Sequence, residues 1–521
     1  MRIDPVQLEV LRHALTGVAE EMLAALIRTA LSPNIRERRD CSTALFDAKG
    51  RMIVQSESIP VHLGAMPFSV TAAIQAIQVF EPGDVIALND PFAGGAHLPD
   101  ITLVTPIFQG KALRGFSANR AHHADIGGMR PGSIAGDATE IYQEGVRIPP
   151  LKLWRRGKLN DEAFQIILAN VRTPAEREGD LRAQFSSNET GRRRFLEIIE
   201  RHNWKTLTQA MEGLLSYSER RMRAEIRKIP PGVYEAEDYL DDDGRGNEKI
   251  PIRVSVAVQK DEIKVDFTGS APQVEGPLNA VYAVTASAVY YTLRCLTDPS
   301  IPPNEGCYRP IRITAPYGTI VNARPPAAVV GGNLETSQRT VDVLIRALAQ
   351  VLPGKAIAAC QGTMNNVTFG GIHPRTGEPF TFYETLAGGW GARPTREGMD
   401  ALHSHMTNTL NTPIEVLETV YPMRVERYEI REGSGGRGKH RGGNGLRRDI
   451  RALSEMTFSL LADRRKMQPY GLAGGKPGAI GQDFLVRNGR KIPLSSKGTV
   501  KLQAGDVVSI RTPGGGGFGE T

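Results

Sequence analysis

DPFAGGAHLPDITLVTPIFQGKALRGFSANRAHHAD, residues 90–125, is the stretch from which the rest of this chain is read. Pro99 lies between His97 and Asp100, and Gly94 and Gly95 precede them, so the segment predicts a kinked loop and not a helix. ITLVTPIF (101–108) and LRGFSANR (113–120) read as two short strands joined at a Gly110 turn. A hairpin of that length returns His122 and His123 to the end where His97 and Asp100 sit. Three imidazoles and two carboxylates, Asp125 included, then meet at one end of a sheet.

Two histidines with one or two carboxylates form a ligand set for a divalent ion such as zinc, manganese or iron, with a position left open for water. The pattern H-x-x-D is weak alone, and a polar loop whose histidines cap strand ends is the competing reading. The concentration of histidines favours the metal: His62, His97, His122 and His123 are four of only ten in the chain.

With 521 residues the chain is long enough for roughly three domains. A hydrophobic content of 40% and a charged content of 23% are those of an ordinary globular protein. The 55 glycines and 34 prolines suggest many turns and much strand. No apolar run approaches the about 20 residues that span a bilayer. The opening MRIDPVQLEVLRH has no secretory pattern, and the expected location is cytoplasmic. Cys41, Cys295, Cys307 and Cys360 have no C-x-x-C spacing, which argues against a thiolate zinc site or a disulfide framework. The net charge of +7 comes from 64 basic residues spread among 57 acidic ones. The densest run, ERRMRAEIRK (219–228), reads as a solvated helix face, so no nucleic acid is expected as a partner.

Taken in order, Asp4-Pro5 caps an amphipathic helix over 5–31, and TALFD and RMIVQ form a hairpin across the turn at Asp47–Gly50. Asp40, flanked by Arg36, Arg38 and Arg39, either pairs with them or leads into that hairpin and joins His97. His62 falls in a predicted Gly/Pro-rich loop, followed by a helix over SVTAAIQAIQVF and a buried strand in GDVIALND. Glu140, Tyr142 and Glu144 lie in a long loop beside the proposed site. Residues 160–228 read as helices, broken by Pro230-Pro231-Gly232. Strands follow, then a small-residue helix over 281–296 and a hairpin in IRITAPYGTIVNA. A Gly-Gly-Asn turn is predicted before the helix that presents Glu335, Ser337, Gln338 and Arg339. Trp390 is expected to be exposed. His403 and His405, read as H-x-H on a strand, would share a face and make a weaker second metal candidate. The glycine runs after 430 contain no G-x-x-x-x-G-K-S/T, so no nucleotide site is expected.

The expected fold is α+β and multi-domain, with mixed and antiparallel sheets, a helical segment and a β-rich, Gly-rich C-terminal region. Its expected divisions are a metal-site domain (1–158), a helical segment (159–229), a central α+β domain (230–418) and a C-terminal domain (419–521).

SPNIRERRDCSTALFD, IPVHLGAMP, NDPFAGGAHLPDITLVTP, NRAHHADIGG, TEIYQEGVRIPP, GNLETSQRTVD, GTMNNVTFGG and MTNTLNTPIEVLE together resemble the hydantoinase B/oxoprolinase family, from the first helix to the glycine-rich tail. The resemblance implies the B subunit of an ATP-dependent cyclic-amide hydrolase of the N-methylhydantoinase or 5-oxoprolinase kind. Acetone and acetophenone carboxylase subunits are similar to that family, which makes a ketone carboxylase subunit the alternative. The implied partner is a hydantoinase A/oxoprolinase-type ATPase subunit in a hetero-oligomer. That subunit uses ATP to phosphorylate the carbonyl oxygen of a small cyclic amide. The implied metal ligands are Asp40, His97, Asp100 and His122, with His123 and Asp125 as the residues that orient a ligand or accept a proton.

Overall fold

A computed structural model describes residues 3–56 and 58–520; Met1, Arg2, Glu57 and Thr521 lie outside the described residues. Helix α1 (Pro5–Thr29) begins where Asp4 accepts a hydrogen bond from the Gln7 amide, with proline in the first turn. A short α2 (Pro33–Arg36) leads to β1 (Cys41–Asp47) and β2 (Met52–Gln55). Then come α3 (Pro60–Ala76), β3 (Val85–Leu88), β4 (Asp100–Gln109), β5 (Ala112–His122), β6 (Leu151–Arg155) and β7 (Lys158–Leu159).

These strands form an antiparallel sheet in the order β2-β1-β5-β4-β3-β6-β7. The expected hairpin is its centre: β4 and β5 pair with Asp100 opposite His122, and Gly110 turns the chain at φ 60°. The helices α4 (Asp161–Ala169), α5 (Pro174–His202) and α6 (Trp204–Ile226) fill the predicted helical segment. Helices α1 and α5 cover one face of the sheet and α3 covers the other. Gly191 of α5 permits that closeness, because a Cβ there would meet the Met22 sulfur at 2.4 Å.

A second, mixed sheet joins β8 (Gly232–Asp242), β9 (Glu248–Gln259) and β10 (Glu262–Asp266) to β11 (Ile311–Thr314). Here IRITAPYGTIVNA departs from expectation. Only its first part is a strand, it runs parallel to β10, and the rest closes in tight turns. Helices α7 (Tyr282–Leu296), α8 (Glu305–Tyr308) and α9 (Ser337–Ala349) follow. Helix α3 packs on α7, α7 on α9, and α9 on β8 and β9, so one stack links the two sheets. The predicted Gly-Gly-Asn turn is itself helical, a π-turn over Gly332–Thr336 that runs into α9.

The remainder is β-rich, as expected. β12 (Asn366–Ile372), β13 (Pro379–Thr385), β16 (Met456–Leu461) and β19 (Lys497–Leu502) form an antiparallel sheet in the order β13-β12-β16-β19. Beyond α10 (Ile414–Val420), the strands β14 (Met423–Arg431), β15 (Gly445–Ala452), β20 (Val507–Arg511), β17 (Gln482–Arg487) and β18 (Arg490–Pro493) form another. The fold is therefore α+β with antiparallel and mixed sheets. Among the described residues no helix is long and apolar enough to cross a membrane.

Candidate metal centre

The end of the first sheet where β4 begins and β5 stops gathers the polar residues. A 3-10 turn over Pro91–Ala93 and a left-handed Gly94 (φ 90°) carry the chain to His97. The cross-strand pair Asp100–His122 then sets two side chains face to face. Nε2 of His97 lies 3.0 Å from Oδ1 of Asp100, and Nδ1 of His122 lies 3.3 Å from the same oxygen. One ligand atom from each of the three residues lies within 4.8 Å of the others, and all three are buried. Both ring nitrogens of His97, both oxygens of Asp100 and Nε2 of His122 have no hydrogen-bond partner. Burial would raise the Asp100 carboxyl, but His97, His62 and His122 around it hold it well below the carboxylate range. Burial pushes the His122 imidazole down, which keeps its ring neutral and able to coordinate.

The structure brings together most of the residues singled out in the sequence. Asp40 adjoins the trio: Oδ1 is 3.8 Å from Nε2 of His62 and Oδ2 is 3.9 Å from the Arg38 guanidinium, so its arginine pairing is a loose one. His123 leaves the strand on the face opposite His122. Its Nε2 lies 2.9 Å from Oε1 of Gln184 on α5. Gln184 spends its amide hydrogens on the Ile101 carbonyl and Asn119, so Oε1 must accept and His123 must donate. Burial lowers this imidazole to about 4, with Arg177 adding to the effect. Asp125 turns away as well. It accepts from the amides of Gly127, Gly132 and Arg172 and pairs with the Arg172 guanidinium at 2.9 Å. It organises the loop and does not face the trio.

Two neighbours, one of them the His62 counted among the clustered histidines, were given no ligand role in the sequence. His62, expected in a loop, lies in the first turn of α3, and its Nε2 is 3.3 Å from Oδ2 of Asp100. The prolines and glycine that suggested a loop are Pro60 at the helix start, Pro67 inside it and Gly64 at a helix contact. Tyr383 of β13 stacks on His122 with ring centroids 4.4 Å apart, and its hydroxyl donates to Asn366. Asn366 in turn donates to Glu335, whose carboxyl is raised to about 7 by burial and by Asp463. Nothing local in the sequence marks Tyr383, since it arrives from another sheet. A cavity of about 20 Å³, room for one water, lies between Asp40, His62, His122, Asn333 and Tyr383.

Other candidates serve the fold. Glu144 is buried and accepts from the Val329 and Val330 amides, whereas Tyr142 is exposed and Glu140 closes a capping box. Ser337 and Gln338 bond to main-chain carbonyls, and Arg339 faces Asp463 and Asp238. His403 and His405 do not share a strand face. His405 sits in a turn at φ 52°, with Nε2 3.2 Å from Asp342, while His403 lies near Thr409. Trp390 is half-buried, and its indole donates to the His403 carbonyl.

The sequence profile of hydantoinase B/oxoprolinase matches residues 4–521. The chain belongs to the hydantoinase B/oxoprolinase family. An uncharacterized protein of Methanocaldococcus jannaschii is 45% identical over 99% of this chain and 91% of its own length. The 5-oxoprolinase 1 of Arabidopsis thaliana is 38% identical over 99% of this chain, which spans only 42% of that longer protein. The crystal structure of an ATP-dependent caprolactamase from Pseudomonas jessenii superimposes with a TM-score of 0.93 at 31% identity, covering 99% of this chain and 91% of the other. For a hydantoinase B/oxoprolinase chain, the buried trio is the most concentrated group of ligand-type side chains among the described residues.

Proposed function

We propose that this chain is the metal-bearing B subunit of an ATP-dependent cyclic-amide hydrolase. It acts on a hydantoin, 5-oxoproline or a related lactam that a partner A subunit has phosphorylated. The observation that carries this reading is the trio His97, Asp100 and His122, buried and with its ligand atoms unsatisfied. Such groups are costly to bury unless something binds them. Family membership and the likeness to an ATP-dependent caprolactamase support an amide ring as the substrate. The absence of a G-x-x-x-x-G-K-S/T motif agrees with ATP being used by a partner.

The donor set of two imidazoles and a carboxylate fits zinc, manganese or iron, held by His97, Asp100 and His122 with Asp40 alongside. A divalent ion there supplies Lewis acidity and makes water nucleophilic near neutral pH. The chain's own residues do the rest. Asp100 faces both ligand rings, and the Tyr383 stack limits rotation of His122. His62 and Arg38 aim Asp40. His123 and Asp125 act as positioning residues, tying the strand end to α5 and the following loop to Arg172. Amide resonance makes the substrate carbonyl a poor electrophile, and phosphorylation of its oxygen creates a leaving group. The small cavity beside the trio has room for about one water.

The test is reconstitution. The purified chain should turn over neither 5-oxoproline nor hydantoin, with or without ATP, and should gain ATP-dependent turnover when a hydantoinase A-type subunit is added. Turnover by this chain alone without ATP would overturn the division of labour.

A further inference from the structure

Glu335 reaches the centre through two other side chains. It sits in the π-turn Gly332–Thr336, where the chain is pressed so close to its neighbour that a Cβ on Gly332 would meet the Asn279 carbonyl oxygen at 2.0 Å. Such widened turns are frequent at functional sites. This one sets Asn333 in the wall of the small cavity and sends the buried Glu335 side chain to β12. There Oε1 accepts from the Asn366 side-chain amide at 2.8 Å and from the Met364 main-chain amide at 3.2 Å.

Asn366 is fixed in its turn. Both its side-chain hydrogens are donated, one to Glu335 and one to the Leu461 carbonyl at 2.8 Å, so its Oδ1 can only accept. Asn366 pairs with Thr385 and Thr368 with Tyr383, which makes Asn366 and Tyr383 diagonal neighbours on one face of the β12–β13 pair. The Tyr383 hydroxyl donates to that Oδ1 at 3.2 Å. Its ring lies nearly parallel to His122, with 14° between the planes. Stacking lets one ring slide over another, whereas a bond at the hydroxyl pins the far end of the ring.

We infer, on the metal reading of the trio, that Glu335 is a positioning residue: through Asn366 and the Tyr383 hydroxyl it sets the ring that keeps His122 in place beside Asp100. The π-turn, β12 and β13 are thereby tied to the end of β5.

Two readouts on the full-length chain test this. The first needs no metal. The NMR signal of the hydroxyl-bearing carbon of Tyr383, identified by its loss in Tyr383→Phe, should move in Glu335→Ala and stay in place in Glu335→Gln. The second is release of zinc from the loaded chain to a chromogenic chelator. Glu335→Ala and Tyr383→Phe should each speed release by about tenfold, the low end of the range for losing an outer partner of a metal ligand. The double variant should release no faster than either alone, because one path is cut twice. Glu335→Gln keeps an accepting oxygen but buries an amide where Oε2 has no partner among the described residues. It should therefore melt below wild type and still release zinc slowly. Release that rises in step with falling melting temperature, Glu335→Gln included, would make Glu335 structural only and overturn the inference. So would an unmoved Tyr383 signal in Glu335→Ala, with packing against His122 and Arg38 holding the ring unaided. A wild-type chain that retains no zinc would overturn the metal reading itself, and the carbon signal would still decide whether Glu335 sets Tyr383.

Discussion

At the scale of single residues, the trio and its neighbours make separable demands. Replacing His97 or Asp100 by Ala should remove most of the proposed ion, since water must then complete the coordination sphere; elemental analysis of purified variants measures it. His123→Ala should keep its ion, because that ring bonds to Gln184 on the far side of the strand. It should still cost about 1–3 kcal/mol by leaving the buried Gln184 oxygen unpaired, read as a lower denaturation midpoint. Glu144 supplies a pH signature. Burial lifts its carboxyl from 4.5 to about 8, despite the two amides of Val329 and Val330 that pull it down. Between those values the unfolded chain releases this proton while the folded chain keeps it, so its contribution to stability is full below pH 4.5 and is lost as pH rises through 8. Glu144→Gln, which keeps the accepting oxygen, should flatten melting temperature against pH across that window. His97, Asp100 and His122 were legible because hairpin geometry is local. His62 was not, since Pro60 and Gly64 read as loop until the helix contact explains them.

At the scale of elements, the sequence was most readable where a turn and an alternation agree, as at Gly110 between β4 and β5. It was least readable where the partner lies far along the chain. H-x-H predicted a strand, but His405 bends into a turn because Asp342, 63 residues earlier, captures its ring. Asp342 also receives Arg464, so the trap is built by three distant segments. The contact between α3 and α7 gives an element-level prediction. A Cβ on Gly64 would meet the Ser287 Cα at 2.5 Å, which is backbone and cannot swing aside. Gly64→Ala should push the helices apart at a cost of about 1–3 kcal/mol. It should also shift His62 from Asp100, so the variant should show both a lower melting temperature and weaker retention of the proposed ion.

For the whole molecule, the centre joins the first sheet and α3 to β13, through His122 and Tyr383. Chelation of the proposed ion should therefore lower the melting temperature of the entire chain, and its readdition should restore it, because a ligand bound only to the folded state stabilises all of it. How these layers close on one another lay beyond the reach of local patterns, since the α3-α7-α9 stack follows from packing between remote segments. The hairpin itself has a consequence in time. His97, Asp100 and His122 all lie on one short span of chain, whereas the Tyr383 ring that roofs them comes some 260 residues later. During synthesis, at about 5–20 residues per second, the grip is complete well over ten seconds before the lid exists. The proposed ion, if captured then, would be sealed in by what is made afterwards, so it should exchange with labelled ions in solution only as fast as β13 lifts away.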